Sequence, residues 1–226
     1  RPTMTTPSAP AVNPPVKSGV APARPNPKIA MGWLHTAKFL TTAPELKHLP
    51  RLDVPEIAFV GRSNAGKSTC INTLTQQKRL AFASKTPGRT QQLVYFQVAP
   101  EKHLVDLPGY GYAKVPENLR IHWQEFINEF FHTRQALAGL IVVMDIRHPM
   151  REFDQGMLSY AFRRHMPAHI LLTKADKIGR GEQTKTIREV KAQLAGTASV
   201  QLFSSETKLG VDEARGVVAN WLQIGV

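Results

Sequence analysis

Cysteines and long apolar segments are almost absent from this sequence. Cys70 is the single cysteine, so no disulfide can form within the chain. This is consistent with a protein that works in a reducing compartment. No segment reaches the roughly 18 consecutive apolar residues that a membrane-spanning helix needs. The N-terminal region also lacks an apolar stretch of the kind found in signal peptides. We therefore expect a cytoplasmic protein without a membrane partner.

Acidic residues are also few. The chain has 17 Asp and Glu against 29 Lys and Arg, which gives a formal net charge of +12. This balance favours an anionic partner, which can be nucleic acid, an anionic membrane or a free polyanion. The eight histidines are scattered and show no zinc-like pairing with cysteine or carboxylates. No motif supports a catalytic triad built on serine.

Prolines are concentrated at the N-terminal end. Residues 1–28 contain eight prolines among Ala, Thr, Ser and Asn. Such a segment cannot bury enough apolar surface to offset the entropy lost on ordering. We therefore expect residues 1–28 to form a disordered arm and residues 29–226 to form one globular domain.

Strand and helix patterns alternate along most of the remaining chain. The predicted strands are residues 38–42, 56–60, 93–98, 103–106, 140–145, 169–173 and 199–203, and the predicted helices include residues 117–134, 153–164 and 211–222. The strands at 93–98 and 103–106 are close enough in sequence to form a hairpin, so one of them is expected to be antiparallel. The order predicts a three-layer, doubly wound α/β fold with a mostly parallel sheet, one antiparallel strand, and ligands at the carboxyl ends of the strands.

The helix predicted at residues 117–134 carries an apolar stripe at helical spacing. Its members are Leu119, Trp123, Phe126, Ile127, Phe130 and Phe131. A stripe of this kind is typical of a helix face that packs on the core, and we assign it no other role.

A phosphate-binding pattern, G-x-x-x-x-G-K-[ST], occurs at residues 61–68 between a predicted strand and a predicted helix. A loop in this place leaves backbone N–H groups unpaired at the positive end of the helix dipole, where anions bind. Gly61 and Gly66 allow backbone angles and close approach that a Cβ would hinder. Lys67 supplies a charge for the β- and γ-phosphates, and Ser68 supplies a hydroxyl for Mg²⁺. The predicted phosphate-binding residues are Gly61, Arg62, Ser63, Asn64, Ala65, Gly66, Lys67, Ser68 and Thr69.

Two further elements of a nucleotide switch follow in the expected order. Asp106 and Gly109 form a D-x-x-G pattern at the end of a predicted strand, where the acid can hold Mg²⁺ through water and the Gly109 N–H can meet a γ-phosphate. Between the two motifs, Thr90 is the natural second hydroxyl ligand of Mg²⁺, engaged only when the γ-phosphate is present, and Thr86 is its competitor. We predict Lys67, Thr90 and Gly109 as catalytic residues and Ser68, Thr90 and Asp106 as ligands of Mg²⁺.

A guanine-binding pattern, T-K-A-D, ends a later predicted strand. The Asp176 carboxylate can accept hydrogen bonds from the N1–H and the exocyclic amine of guanine, which adenine cannot offer. The aliphatic stem of Lys174 can cover the base, and a backbone N–H at residues 204–205 can meet the guanine carbonyl. The predicted base-binding residues are Thr173, Lys174, Asp176, Lys177, Phe203, Ser204 and Ser205.

These motifs resemble those of the EngB (YihA/YsxC) family, in the class of TrmE-Era-EngA-EngB-septin-like GTPases. The resemblance rests on residues 56–68, 85–91, 106–113, 145–149 and 203–207, and it covers about residues 38–224. It implies a P-loop NTPase fold, with GTP and GDP as ligands and Mg²⁺ as cofactor. It also implies GTP hydrolysis coupled to assembly of the large ribosomal subunit, with that subunit or its precursor as the partner.

Tyr110 departs from the common GTPase pattern, because many GTPases carry at this position the glutamine that orients the attacking water. A phenol cannot replace that amide as both donor and acceptor, so intrinsic hydrolysis is expected to be slow and to await a partner or a cation. In related GTPases without the glutamine, an asparagine at the position of Asn64 is associated with potassium use. Asn64 is therefore a candidate K⁺ ligand, and a loop-stabilising role is the alternative. We expect residues 110–112 to form a mobile loop that reports the nucleotide state.

Two other functions stay open. One is a basic RNA-binding scaffold with a low-turnover nucleotide site, and the other is a cell-division-linked GTPase at the septum or membrane, for which the sequence shows no amphipathic anchor. The basic residues that can bind RNA phosphates are Arg163, Arg164, His165, Lys177, Arg180, Lys185, Arg188 and Lys191. We expect the protein to act as a monomer.

Overall fold

A seven-stranded sheet with helices on both faces is the framework of the protein. The computed structural model describes residues 34–43, 54–82, 92–110, 116–134 and 136–224. The predicted arm at residues 1–28 and the predicted Mg²⁺ ligand Thr90 lie outside these ranges. The strands are β1 (Lys38–Ala43), β2 (Glu56–Gly61), β3 (Leu93–Ala99), β4 (Lys102–Asp106), β5 (Leu137–Asp145), β6 (Ala168–Thr173) and β7 (Ser199–Leu202). The helices are α1 (Lys67–Thr75), α2 (Glu117–Thr133), α3 (Glu152–Arg163), α4 (Arg180–Leu194) and α5 (Val211–Trp221), with a 3₁₀ turn at Ala175–Lys177.

The strand order is β1-β3-β4-β2-β5-β6-β7. Only β3 is antiparallel to its neighbours, β1 and β4, and every other neighbouring pair is parallel. The predicted doubly wound sheet with one antiparallel strand is therefore confirmed. β2 lies in the middle of the sheet, between β4 and β5. Strands β1, β3 and β4 lie on one side of β2, and strands β5, β6 and β7 lie on the other, so the strand order changes direction next to β2. Ligands of doubly wound sheets bind at such a point.

The two faces of the sheet are covered by separate apolar clusters, because successive side chains of a strand point to opposite faces. On one face, Phe130 of α2, Leu158 of α3 and Val190 of α4 share a cluster with Val142 of β5. On the other face, α1 and α5 pack over the strands, and Ile71 belongs to that second cluster. The central strands are buried on both sides, which explains their nearly continuous apolar sequences.

The apolar stripe of α2 reaches the core only in the C-terminal half of the helix. Ile127, Phe130 and Phe131 are buried, whereas Leu119 is 40% exposed. Trp123 and Phe126 are partly buried against the core cluster. The prediction that the whole stripe is core is therefore wrong at Leu119, because the first turn of α2 does not pack on the sheet.

A buried ion pair joins the end of α2 to the start of β2. The guanidinium of Arg134 donates two hydrogen bonds of 2.7 Å to the carboxylate of Glu56, and neither side chain is exposed. Burial raises the pKa of Glu56, and the hydrogen bond and charge of Arg134 act in the opposite direction. Removing one partner of such a pair costs about 3–5 kcal/mol, because the other charge is left buried. The pair thus anchors the end of α2 to the amino end of β2, and the phosphate loop follows the other end of that strand.

Within the described part of the chain, no helix combines the length and the apolar character that crossing a membrane requires.

Candidate functional site

The predicted phosphate loop connects the carboxyl end of the central strand β2 to the first residue of α1. Gly66 caps α1 with a φ of +90°, a backbone angle that favours glycine. Gly61 has a different requirement, because a Cβ there would lie 2.8 Å from the carbonyl oxygen of Val143 on β5. The two glycines of the motif are therefore needed for separate reasons, one for the turn and one for close strand packing.

Two residues of the T-K-A-D segment donate hydrogen bonds to the backbone of the phosphate loop. The hydroxyl of Thr173 is buried and lies 2.6 Å from the carbonyl oxygen of Ala65 and 3.0 Å from that of Met144. Lys174 Nζ donates a 2.7 Å hydrogen bond to the carbonyl oxygen of Asn64, which has a φ of +64°. Thr173, predicted to bind the nucleotide, is thus placed to support the loop, and the Lys174 side chain lies across it.

Lys67 and Asp106 form an ion pair at the mouth of the loop. They meet because β4 lies parallel to β2 and brings Asp106 level with Phe59. Burial raises the pKa of Asp106, and the charge and hydrogen bond of Lys67 act against this rise. Ser68 follows Lys67 on the first turn of α1. One carboxylate and one hydroxyl are oxygen donors that suit Mg²⁺, which usually takes its remaining ligands from phosphates and water. These residues therefore fit the predicted metal.

The D-x-x-G segment runs along the phosphate loop. The backbone N–H of Ser63 donates to the carbonyl oxygen of Tyr110 at 2.7 Å, and the Tyr110 N–H donates to Gly61 at 3.3 Å. The Ser63 hydroxyl donates to the same Tyr110 oxygen at 3.1 Å. A Cβ built on Gly109 would lie 3.5 Å from the Ser63 nitrogen. The structure thus places Gly109 directly against the loop that is predicted to hold the phosphates.

Tyr110 is buried, with only 3% of its surface exposed. Its ring lies 5.4 Å, centroid to centroid, from both Trp123 of α2 and Phe153 of α3. Its hydroxyl donates a 2.5 Å hydrogen bond to Oδ1 of Asp154. Burial and the neighbouring carboxylate raise the pKa of Tyr110 well above its ordinary value, so the phenol keeps its proton. The mobile loop expected at residues 110–112 stays a prediction: Tyr110 is packed between aromatic rings in this structure, and residues 111–112 lie outside the described ranges.

Asp154 is a residue of this region that the sequence analysis missed. Its second oxygen accepts a 3.0 Å hydrogen bond from the backbone N–H of Arg151 and so caps the start of α3. Burial raises the pKa of Asp154, and the hydrogen bonds from Tyr110 and Arg151 oppose the rise. The only local signal was an acid in the first turn of a helix, which is common in helices that face solvent.

Asp176 lies in the 3₁₀ turn after β6. Its Oδ1 accepts a 2.8 Å hydrogen bond from the hydroxyl of Ser204, and this bond is the main cause that lowers the pKa of Asp176. The carboxylate is therefore ionised at neutral pH and oriented, as an acceptor for guanine must be. Lys177 Nζ lies 3.7 Å from the other oxygen of Asp176, and its side chain is 54% exposed.

The loop after β7 gives its three predicted residues different roles. Ser204 donates its backbone N–H to Leu209 at 2.9 Å, so of the two serines only Ser205 keeps the predicted role toward the guanine carbonyl. The Ser205 hydroxyl accepts a 2.9 Å hydrogen bond from Thr73, which links this loop to α1. Phe203 has no exposed surface, and its N–H and carbonyl both bond within the sheet and the 3₁₀ turn. Phe203 is therefore a core residue, which corrects its predicted role in binding the nucleotide.

A cleft of about 200 Å³ opens beside the phosphate loop. Its polar lining residues are Arg62, Ser63, Asn64, Asp145, Arg147, His148, Asp154 and Lys174. Asp145 receives hydrogen bonds of 3.0 and 2.8 Å from the Arg147 guanidinium and lies 3.4 Å from Lys174 Nζ. Burial alone would raise the pKa of Asp145, but the bonds from Arg147 and the charge of Lys174 lower it to about 2. Sequence analysis used Asp145 only as part of a motif; a carboxylate that ends a buried strand was the available signal.

Of the remaining predicted residues, Thr69 is exposed on the first turn of α1. Thr90, predicted both as a catalytic residue and as a ligand of Mg²⁺, lies outside the described ranges. Among the described residues, no cluster of three or more His, Cys, Asp or Glu side chains is arranged to hold a metal ion.

Comparisons with known proteins agree with this geometry. A family model described as "50S ribosome-binding GTPase" matches residues 56–174. The probable GTP-binding protein EngB of Stenotrophomonas maltophilia is 56% identical over 193 residues, which cover 84% of this chain and 96% of that protein. The corresponding protein of Xylella fastidiosa is 57% identical over 193 residues, with 84% and 95% of the two chains covered.

Solved structures show the same fold at lower sequence identity. A crystal structure of a probable GTP-binding protein engB has a TM-score of 0.62 and 19% identity, and the match covers 74% of this chain and 98% of that one. Era in complex with MgGDPNP and a segment of 16S ribosomal RNA has a TM-score of 0.56 and 21% identity, with 77% and 57% covered. The phosphate loop, the D-x-x-G segment and the loops that carry Asp176 and Ser205 are thus parts of a GTPase fold, and the chain belongs to the EngB family of GTP-binding proteins and is a GTPase.

Proposed function

We propose that this GTPase is a slow nucleotide switch in assembly of the large ribosomal subunit, with residues 29–226 as its GTPase domain. The observation that carries the proposal is the match of residues 56–174 to a family described as 50S ribosome-binding GTPases. A net charge of +12 is consistent with a partner rich in RNA. The fold itself is compatible with such a partner, since Era, in its solved complex, binds a segment of ribosomal RNA.

Binding of the nucleotide rearranges the ion pair at the mouth of the loop. Lys67 leaves Asp106 and meets the β- and γ-phosphates, while backbone N–H groups of residues 61–68 surround them. Ser68, Thr90 and, through water, Asp106 would hold Mg²⁺, and the ion would supply positive charge to the β- and γ-phosphate oxygens. Burial of Asp106 disfavours its charged form when no cation is nearby, so a carboxylate that loses Lys67 would favour a second cation such as Mg²⁺.

The base lies on the side of Asp176 and Ser205. The Asp176 carboxylate, fixed by Ser204, accepts hydrogen bonds from the N1–H and amine of guanine. The Lys174 stem covers the base while its Nζ stays on the Asn64 carbonyl. Selectivity for guanine therefore depends on a carboxylate that is oriented before the ligand binds.

Hydrolysis is slow in the isolated protein, because the side chain after the D-x-x-G glycine is packed against Trp123 and Phe153 and bonded to Asp154. The Tyr110 hydroxyl is engaged by Asp154, so no amide or phenol at this position orients the attacking water. The partner or K⁺ would supply the missing contribution. The side-chain carbonyl of Asn64, on the loop itself, is the proposed ligand of that ion.

Co-sedimentation with purified large subunits tests the proposal. We expect the protein to bind more tightly with a non-hydrolysable GTP analogue than with GDP, and to bind less as salt rises. Salt sensitivity alone is not sufficient, since any basic protein shows it. Equal binding in the two nucleotide states, or equal binding to an unrelated RNA, contradicts the proposal.

A basic RNA-binding scaffold with a low-turnover nucleotide site is the second candidate. The engagement of Tyr110 by Asp154 favours it, because this arrangement limits turnover. Steady-state GTP turnover with and without ribosomal particles separates the two functions: a switch is stimulated by the particles, and a scaffold is not.

A further inference from the structure

On the exposed face of α4, three cations lie along one side and two acids along the other, with Lys185 next to the acids. The helix periodicity of 3.6 residues places Arg180, Arg188 and Lys191 in one row, about 16 Å long. Glu182 and Glu189 lie on the opposite flank of the helix. All five side chains are exposed. On an ordinary solvated helix face, charges of both signs alternate and pair.

We propose that this cationic row, Arg180, Arg188 and Lys191, binds the phosphate backbone of RNA. The inference rests on the proposed function, since it names the surface of the GTPase that meets its RNA-containing partner. Within the part of the chain that the structure describes, none of the three side chains forms an ion pair or hydrogen bond with another side chain. Their charges are therefore available to phosphates.

The structure excludes other basic residues from the row. Lys185 Nζ lies 3.9 Å from Glu189 and points along the acidic flank. Arg164, at the end of α3, lies 5.1 Å above the ring of Tyr160 and donates to the carbonyl oxygen of Phe131 at 3.4 Å. The guanidinium of Arg164 thus joins α3 to α2. The basic residues predicted together from the sequence therefore separate into free and engaged charges.

Helix stability does not account for the row. Arg180 is the first residue of α4, where the positive end of the helix dipole disfavours a cation. Lys191 in the last turn is favoured by the dipole. The position of Arg180 is therefore the one in the row that helix stability explains least. An anion that lies along the helix supplies one, because it pairs with the first and last turns together.

The absence of apolar neighbours favours RNA over a membrane or a protein as the partner. No large exposed hydrophobic residue of the described chain lies on α4. A helix that lies on a membrane needs an apolar flank, and a protein interface needs buried aromatic or aliphatic anchors. A row of cations on a rigid helix suits a polyanion, which gains affinity by release of its counterions.

The row is also separate from the segments expected to respond to the γ-phosphate. α4 lies between the 3₁₀ turn and β7, and its Val190 and Leu194 are buried in the core. The row therefore contributes the same affinity in both nucleotide states. Nucleotide dependence must come from elsewhere, so the two contributions can be measured separately.

Two double variants of the full chain with the same change in net charge test the proposal. R188Q/K191Q removes two cations of the row. R120Q/K185Q removes two exposed cations that pair with Glu117 and Glu189. Binding of each protein to purified large subunits, to protein-free ribosomal RNA and to anionic lipid vesicles is measured over a salt series, in GDP and in a GTP analogue.

R188Q/K191Q should weaken binding to subunits and to RNA about tenfold and reduce the slope of log K against log salt by about 2, equally in both nucleotides. GTP turnover of the free protein should not change, and R120Q/K185Q should have a much smaller effect. An equal loss in the two double variants means that only net charge matters, which overturns the proposal. A loss on subunits but not on protein-free RNA identifies a ribosomal protein as the partner, and a loss on vesicles alone identifies a membrane. Either result also overturns it.

If R188Q/K191Q binds subunits as tightly as the wild type and with the same nucleotide dependence, the proposed role of the cationic row is contradicted and the proposed function is not. If the wild-type protein binds protein-free RNA through the row but its binding to subunits does not depend on the nucleotide, the RNA-binding role of the row is supported and the proposed function is contradicted. Wild-type protein that binds neither contradicts both.

Discussion

The hydroxyl of Tyr110 lies 2.5 Å from Oδ1 of Asp154 and joins the D-x-x-G segment to the first turn of α3. Both residues are buried, and Asp154 also accepts the Arg151 N–H. The bond fixes the side chain at the position where a water-orienting glutamine stands in many GTPases. The position that holds a catalytic glutamine in many GTPases therefore holds here a tyrosine that joins the D-x-x-G segment to α3.

Tyr110→Phe removes the hydroxyl and keeps the aromatic packing. We expect the free energy of unfolding to fall by about 1–3 kcal/mol, because Asp154 loses a buried hydrogen bond. GTP turnover should stay nearly unchanged, since the hydroxyl is already engaged by Asp154. Urea unfolding and steady-state turnover measure the two effects. Tyr160→Phe is the control, because the Tyr160 hydroxyl lies in a weaker contact, 3.3 Å from His132. A large fall in turnover at unchanged stability would show that the phenol takes part in the reaction.

Asp176→Asn should exchange the preferred base. An amide cannot accept from both the N1–H and the amine of guanine, so GTP binding should weaken by about ten- to a hundredfold. Binding of xanthosine triphosphate should improve, while the Ser204 hydroxyl can still donate to the new side-chain oxygen. Competition between the two nucleotides for the variant measures the exchange. Unchanged GTP affinity would remove Asp176 from the base site.

Thr90→Ala should separate the two nucleotides. Loss of the second hydroxyl ligand should weaken the GTP–Mg²⁺ complex and spare GDP, because the ligand engages only with the γ-phosphate. Lys67→Ala should instead abolish tight binding of both. Titration with fluorescent GDP and a GTP analogue distinguishes these patterns. If Thr90→Ala weakens both nucleotides equally and Thr86→Ala weakens only the GTP state, the ligand is Thr86.

Asp145→Asn should change the acid stability of the protein. The pKa of Asp145 is lowered from 3.8 to about 2, so this carboxylate stabilises the fold above its ordinary pKa, and the contribution is lost as pH falls from about 4 to 2. The variant should be less stable by on the order of 1–2 kcal/mol at neutral pH, and the difference should shrink across that window. Urea unfolding at a series of pH values measures it. A difference that is constant with pH would assign the loss to packing.

Potassium should accelerate GTP turnover relative to sodium at equal ionic strength. The proposed ligand is the Asn64 side chain, so Asn64→Gly should remove the difference between the two cations. Glycine is the suitable replacement, because it adopts the positive φ of this position without strain. Equal rates of the wild-type protein in the two salts would show that Asn64 only stabilises the loop.

The elements that depend on local sequence were predictable. The strand at residues 56–60, the loop and the following helix appear as β2 and α1, because apolar runs and glycine positions act over a few residues. The pairing of β3 with β4 followed from how close the two predicted strands, 93–98 and 103–106, lie in sequence. Lys67, Asp106, Gly109 and Asp176 lie at strand ends or helix starts on the same edge of the sheet, as parallel topology requires.

Contacts between distant segments were decided only by the tertiary structure. The sequence by itself placed the carboxyl end of each strand to within one residue. It did not determine that Tyr110 bonds to Asp154, that Thr173 supports Ala65, or that Phe203 enters the core. The pair of Glu56 and Arg134 joins residues 78 positions apart. Such contacts depend on strand register and on how the helices lie over the sheet, because a side chain that could face solvent or ligand is buried only when another element covers it.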